Sequence, residues 1–158
     1  MADVKWQSTR WREMIGLMDQ VAAHLTGRAV TVRPRKSAYI GARGTFYPMP
    51  NGRGLIDLDT DLDQERAYRI FLHECAHAKL DYHPVTSEAA ARRPPESVEL
   101  DLAAVKSAAH QERESRLWDQ ADAWDDWAAA NLDRVNKPTG DWVLDRLQAL
   151  RTLEVYRR

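Results

Sequence analysis

The chain predicts an α+β fold: a small three-stranded antiparallel sheet packed with an N-terminal helix, a helix carrying His73-Glu74-Cys75-Ala76-His77, and a long downstream helix. Three observations predict it. Apolar residues recur at helical spacing near the start of the chain. Three short β-favouring stretches separated by Gly- and Pro-rich turns follow them. Two long segments, residues 60–81 and 96–135, then read as helices.

Residues 5–25 place Trp11, Ile15, Met18, Val21 and Leu25 at alternating steps of four and three, which is one buried stripe of a helix, and Thr26-Gly27 is its stop. Residues 29–32 include Val30, Thr31 and Val32 and meet Pro34, so they read as a strand. Residues 37–47 contain Tyr39, Ile40, Thr45, Phe46 and Tyr47, with Gly41 and Gly44 marking a bulge or bend in a second strand. Two prolines and the Asn51-Gly52 pair in residues 48–54 make a tight turn. Leu55-Ile56-Asp57-Leu58 then returns as a third strand, and three short strands joined by tight turns suggest an antiparallel sheet.

Thr60 and Asp63 resemble a capping box with Asp in place of Glu, opening a helix that runs to about Asp81. Its core face is expected to include Ala67, Ile70, Phe71 and Leu80, and Pro84 stops it. Residues 85–95 read as a loop or flap. Residues 96–135 form one helix, or two broken near residues 106–111. Lys137-Pro138-Thr139-Gly140 is a linker, and residues 141–156 make a last amphipathic helix through Val143, Leu147, Leu150 and Leu153, expected to close the core.

At 158 residues, 44% hydrophobic and 30% charged, the chain fits one globular domain, with residues 139–158 as a helical extension. A net charge of -1 sets no global basic field, so direct nucleic-acid binding is not expected. Arg33, Arg35 and Lys36 read as solvated surface. The six tryptophans, three of them (Trp118, Trp124, Trp127) on the long helix, read mainly as core, with Trp118 also a candidate groove residue. No run reaches the roughly 18 apolar residues of a membrane span, and the first residues lack the apolar stretch of a signal peptide. The lone Cys75 forms no intrachain disulfide and suits a reducing compartment; the expectation is a cytoplasmic protein.

The chemistry concentrates in residues 73–77, an HExxH pattern. On a helix, positions four apart share a face, so His73 and His77 can grip one metal ion. Glu74 is then placed to take a proton from water activated by that ion. A catalytic zinc site needs a third protein ligand and an open position. Cys75 points about 100° away from each neighbour on the same helix. Glu112, Glu114, Asp119 and Asp122 are candidates downstream, with His83 and His110. Two stripes compete on the long helix. Val98, Leu102, Val105 and Ala109 continue onto Glu112, whereas Ala128, Trp124, Ala121 and Leu117 run back onto Glu114. Helical geometry alone leaves both open.

The order of strand, Asn-Gly turn, short strand and capped HExxH helix in residues 37–80 resembles the ImmA/IrrE metallopeptidases, a gluzincin-like family found with mobile elements and stress regulators. The family's third zinc ligand lies in a Glu-x-x-Ala-Asn/Asp-x-aromatic-Ala pattern. Glu112-Arg113-Glu114-Ser115-Arg116-Leu117-Trp118-Asp119 is similar to it, with Glu112 on the ligand, Ser115 on the small residue and Trp118 on the aromatic. Arg116 replaces the Asn or Asp, and Asp119 the final Ala.

The resemblance implies Zn2+ held by His73, His77 and Glu112, with Glu114 as the second choice, and Glu74 as the catalytic base. It further implies hydrolysis of peptide bonds in a cytosolic protein substrate, such as a regulator or repressor. The alternative is a proteolytically inactive metal-binding interaction module of the same fold. Tyr82, His83, His110 and Arg113 are candidates to stabilise the oxyanion.

Overall fold

The apolar stripe near the start of the chain folds as α1 (Thr9–Thr26), burying Trp11, Met14, Met18, Val21, Ala22 and Leu25. Gly27 ends it at φ 71°, a left-handed conformation that glycine adopts without steric cost. The computed structural model describes residues 9–36, 43–80 and 108–154. Expectations for residues 81–107, including the Pro84 stop, the flap, Tyr82, His83 and the first part of the long helix, lie outside the described residues, as do residues 37–42 of the second strand.

The strands are β1 (Val30–Arg35), β2 (Gly44–Met49) and β3 (Arg53–Asp59). A three-residue turn, Pro50–Gly52, joins the last two, with Asn51 at φ 65° and Gly52 at φ 75°. This turn makes β2 and β3 an antiparallel hairpin, Met49 opposite Arg53 and Phe46 opposite Ile56. The sheet is mixed, however, not all antiparallel: the order is β1-β3-β2, and β1 runs parallel to β3, Val30 opposite Gly54. The Asn-Gly signal sets only the hairpin. Where β1 docks follows from packing.

As an edge strand, β1 tolerates Pro34 inside it. The Val32 amide, one of its backbone donors, is satisfied by α1, where Asp19 Oδ1 accepts its hydrogen bond at 2.7 Å. Arg33 stands opposite Asp57 and makes a two-pronged pair with it at 2.8 and 3.1 Å, so this member of the basic cluster is committed to the sheet. Buried Asp59 accepts from Arg43 at 2.7 Å and from the Asp61 amide at 3.0 Å.

α2 (Gln64–Leu80) follows a turn in which Asp63, rather than Thr60, is the cap: its Oδ1 accepts from the Arg66 amide at 2.8 Å. α2 packs on β2, β3, α1, α3 (Ala108–Ala130) and α4 (Trp142–Leu150), so it runs through the middle of the molecule. Residues 71–76 are all buried as a result. A helix enclosed on several sides buries more than one stripe. Ala67 and Phe71 face the core as expected, Ile70 is half-buried, and Leu80 is 53% exposed.

Gly44 is required by this packing. A Cβ at that position would collide with Ile70 Cγ2 and lie 3.5 Å from Glu74 Cγ, so the bare backbone lets α2 come down onto β2. The last helix is core: Val143, Leu144, Leu147, Ala149 and Leu150 are buried against α1 and α3. Asp141 caps it by accepting from the Val143 and Leu144 amides, both at 2.9 Å. Asp145 holds the preceding linker through Thr139 and Gly140. Among the described residues, no helix is long and apolar enough to cross a membrane.

Candidate metal centre

His73 and His77 lie one turn apart on α2, with ring centroids 4.8 Å apart and planes nearly perpendicular. Across from them stands Glu114 of α3. Its Oε2 is 3.0 Å from His73 Nε2 and its Oε1 is 3.4 Å from His77 Nε2. The three residues can each turn one ligand atom to a common point, the atoms lying within 4.8 Å of one another. A small divalent cation held at about 2.0–2.2 Å puts neighbouring tetrahedral ligand atoms ~3.4 Å apart. The two nitrogen–oxygen separations, one to each carboxylate oxygen, lie near that spacing, and among the described residues two imidazoles and one carboxylate form the candidate donor set.

The sequence pointed first to Glu112, but the structure brings Glu114 to the histidines. Glu112 is exposed. The register of α3 is set by buried Leu117, Ala121, Trp124 and Ala128, and Glu114 extends that stripe by one turn. Asp119 and Asp122 are exposed on α3. His110 falls on α3, but its side chain lies outside the described residues. The Glu112 assignment followed a family pattern that this chain matches only in part. The Leu117–Trp124 spacing pointed to Glu114 and the Val98–Ala109 stripe to Glu112; the observed burial of Leu117, Ala121 and Trp124 is what favours Glu114.

Trp118, one turn beyond Glu114, stacks on the His73 ring at 4.2 Å between centroids and 20° between planes. It is 37% exposed, so the indole fixes the ring on one side and meets solvent on the other. His73 Nδ1 is buried with no hydrogen-bond partner among the described residues. Ligating histidines ordinarily donate that second nitrogen to an acceptor. Here the Trp118 stack supplies orientation instead. Burial, then the neighbouring His77, lowers the His73 pKa to about 4 against a partial offset from Glu114, so the ring is neutral at pH 7 and free to donate a lone pair.

Glu74, the residue between the ligand and Cys75, is buried on the sheet-facing side of α2, where Gly44 makes room for it. Burial is the main reason its carboxyl pKa rises to about 8, and the charge of Glu114 adds to it. A carboxyl poised near neutrality beside a cation site is a group able to accept and return a proton. Burial pushes the Cys75 thiol well above its ordinary range, so the free cysteine is an inert core residue.

Compared with protein-family models, curated proteins and solved structures, the chain matches none. The fold and the side-chain cluster therefore define it by themselves: an α+β protein with a candidate metal-binding triad of His73, His77 and Glu114.

Proposed function

We propose that this protein is a zinc-dependent endopeptidase of ImmA/IrrE type, acting in the cytoplasm on a protein substrate such as a regulator or repressor. The observation that carries the reading is the convergence of His73, His77 and Glu114 from two helices, with the buried Glu74 directly beside the first ligand. The two imidazoles and the carboxylate would hold the ion. Bound zinc supplies Lewis acidity, polarising a carbonyl and acidifying water at the open position. Glu74 would serve as the proton carrier of the reaction, its carboxylate accepting a proton from water and returning it to the departing amine. Trp118 holds the His73 ring plane by stacking on it and would keep Nε2 turned toward the Glu114 side, where an ion would be held. The low-dielectric surroundings of Glu74 strengthen each of these interactions.

The test compares wild type with Glu74→Gln at equal zinc content, on candidate partner proteins and a peptide library. Glu74→Gln should keep the metal and lose roughly a hundredfold or more in cleavage rate. Undiminished cleavage in the variant overturns the mechanism. A wild-type protein that holds zinc and cleaves nothing belongs instead to the second class, a proteolytically inactive binding module. The His73 Nδ1, which has no hydrogen-bond partner among the described residues, is the observation that favours that second reading.

A further inference from the structure

Beside the triad, α2 and α3 leave a cavity of about 220 Å³ lined by Leu80, Arg113, Arg116 and Leu117. Leu80 lies three residues past His77, Arg113 immediately precedes Glu114, and Leu117 follows Glu114 by three residues. Three residues of helix rise about 4.5 Å. The cavity's lining therefore lies within about one helical turn of His77 and Glu114 along the chain, although neither of them lines it. Its volume is below the roughly 300–1,000 Å³ of sites that enclose a whole drug-sized molecule. It is sized for one side chain.

The lining is amphipathic in a particular way. Leu80, over half exposed, and Leu117, buried, provide apolar walls. Arg113 and Arg116 are exposed and have no carboxylate partner among the described residues, although most of the other arginines near the core pair with one: Arg33 with Asp57, Arg43 with Asp59, Arg69 with Glu65 and Asp125. Two guanidiniums without counter-ions among the described residues, at the rim of an apolar pocket, present a planar donor fork that fits a carboxylate. The complementary group is an anion on a short methylene stem.

We infer that this cavity is a specificity subsite that takes an acidic side chain, glutamate in particular, of the protein substrate next to the bond that is cut. The inference rests on the peptidase reading of the triad and adds the substrate class. The methylenes of the glutamate lie against Leu80 and Leu117 while its carboxylate meets Arg113 and Arg116. Arg116, which departs from the family pattern, thereby acquires a role of its own in selecting charge.

The experiment measures binding apart from turnover. Zinc-loaded Glu74→Gln protein, which holds peptides without cutting them, is titrated calorimetrically with alanine-rich decapeptides in which one Glu, Gln or Lys is moved along the chain. At one position the Glu peptide should bind about tenfold more tightly than its Gln counterpart, with the advantage shrinking as salt is raised. R113Q/R116Q, added to that protein, should erase the preference and leave the Gln peptide's affinity unchanged; R113E/R116E should favour Lys. Both arginines are exposed, so the neutral pair preserves the helix, and a matching circular dichroism spectrum establishes this. Equal binding of Glu and Gln peptides at every position overturns the inference, as does a preference that survives R113Q/R116Q. Cleavage by wild type without acidic preference sinks the subsite alone. An acidic preference without any cleavage by wild type sinks the peptidase reading alone.

Discussion

Removing the Glu74 carboxylate should stabilise the metal-free protein above about pH 4.5, and increasingly so toward pH 8. Burial and Glu114 raise this carboxyl from an ordinary 4.5 to about 8, so the folded protein holds the proton more tightly than the unfolded chain does. The favourable contribution is fully present below pH 4.5 and is lost as pH rises through 8. At 1.36 kcal/mol per tenfold change in proton affinity, the whole penalty is about 5 kcal/mol, of which about 3 kcal/mol is already incurred at pH 7. Relaxation and water entry reduce the full penalty to about 2–4 kcal/mol at pH 8 and above.

Gln keeps the shape and carries no charge. Metal-free Glu74→Gln should therefore match wild type near pH 4.5 and exceed it progressively toward pH 8.5. His73 works in the opposite sense: its pKa is lowered from 6.5 to about 4, so both proteins lose stability as pH falls through that window. The difference between the two proteins cancels that term. Urea unfolding of chelator-treated protein at half-unit steps from pH 4.5 to 8.5 reads it directly. A difference that stays constant with pH, or a wild type that is the more stable at pH 8.5, would refute the buried-carboxyl reasoning. Added zinc should flatten the slope, because a cation at the triad favours the ionised form of Glu74.

Three further outcomes follow from the same geometry. Glu114→Gln should lower zinc affinity tenfold or more while Glu112→Gln leaves it unchanged, measured by competition with a chromogenic chelator; the reverse order would return the ligand role to Glu112. His73→Ala and His77→Ala should each abolish stoichiometric zinc and the rise in melting temperature on adding it, since the ion ties α2 to α3. Gly44→Ala should cost about 1–3 kcal/mol in urea unfolding, because the new methyl meets Ile70 and forces α2 off β2; an unchanged midpoint would remove the close-approach argument.

Local signals determined a good deal. The three-and-four spacing of Trp11, Ile15, Met18, Val21 and Leu25 marked α1, although Ile15 is only half-buried; Asn51-Gly52 marked the β2–β3 hairpin, and the i, i+4 histidines a candidate two-point metal grip, because each depends only on neighbours along the chain. Tertiary packing decided the rest. β1 lies parallel to β3 because α1 carries it to that edge and Asp19 covers its outer amide, a contact 13 residues away in sequence. Leu80 is exposed and Glu74 buried although the helical stripe suggested Leu80 for the core, since α2 is enclosed by sheet and helices on several sides. The residue that joins the two histidines in the observed cluster is Glu114 rather than Glu112 because the rotation of α3 is fixed by Leu117, Ala121 and Trp124 packing inward. Two residues along a helix is a turn of about 200°, and only the burial of that far stripe determines which of two glutamates meets the histidines.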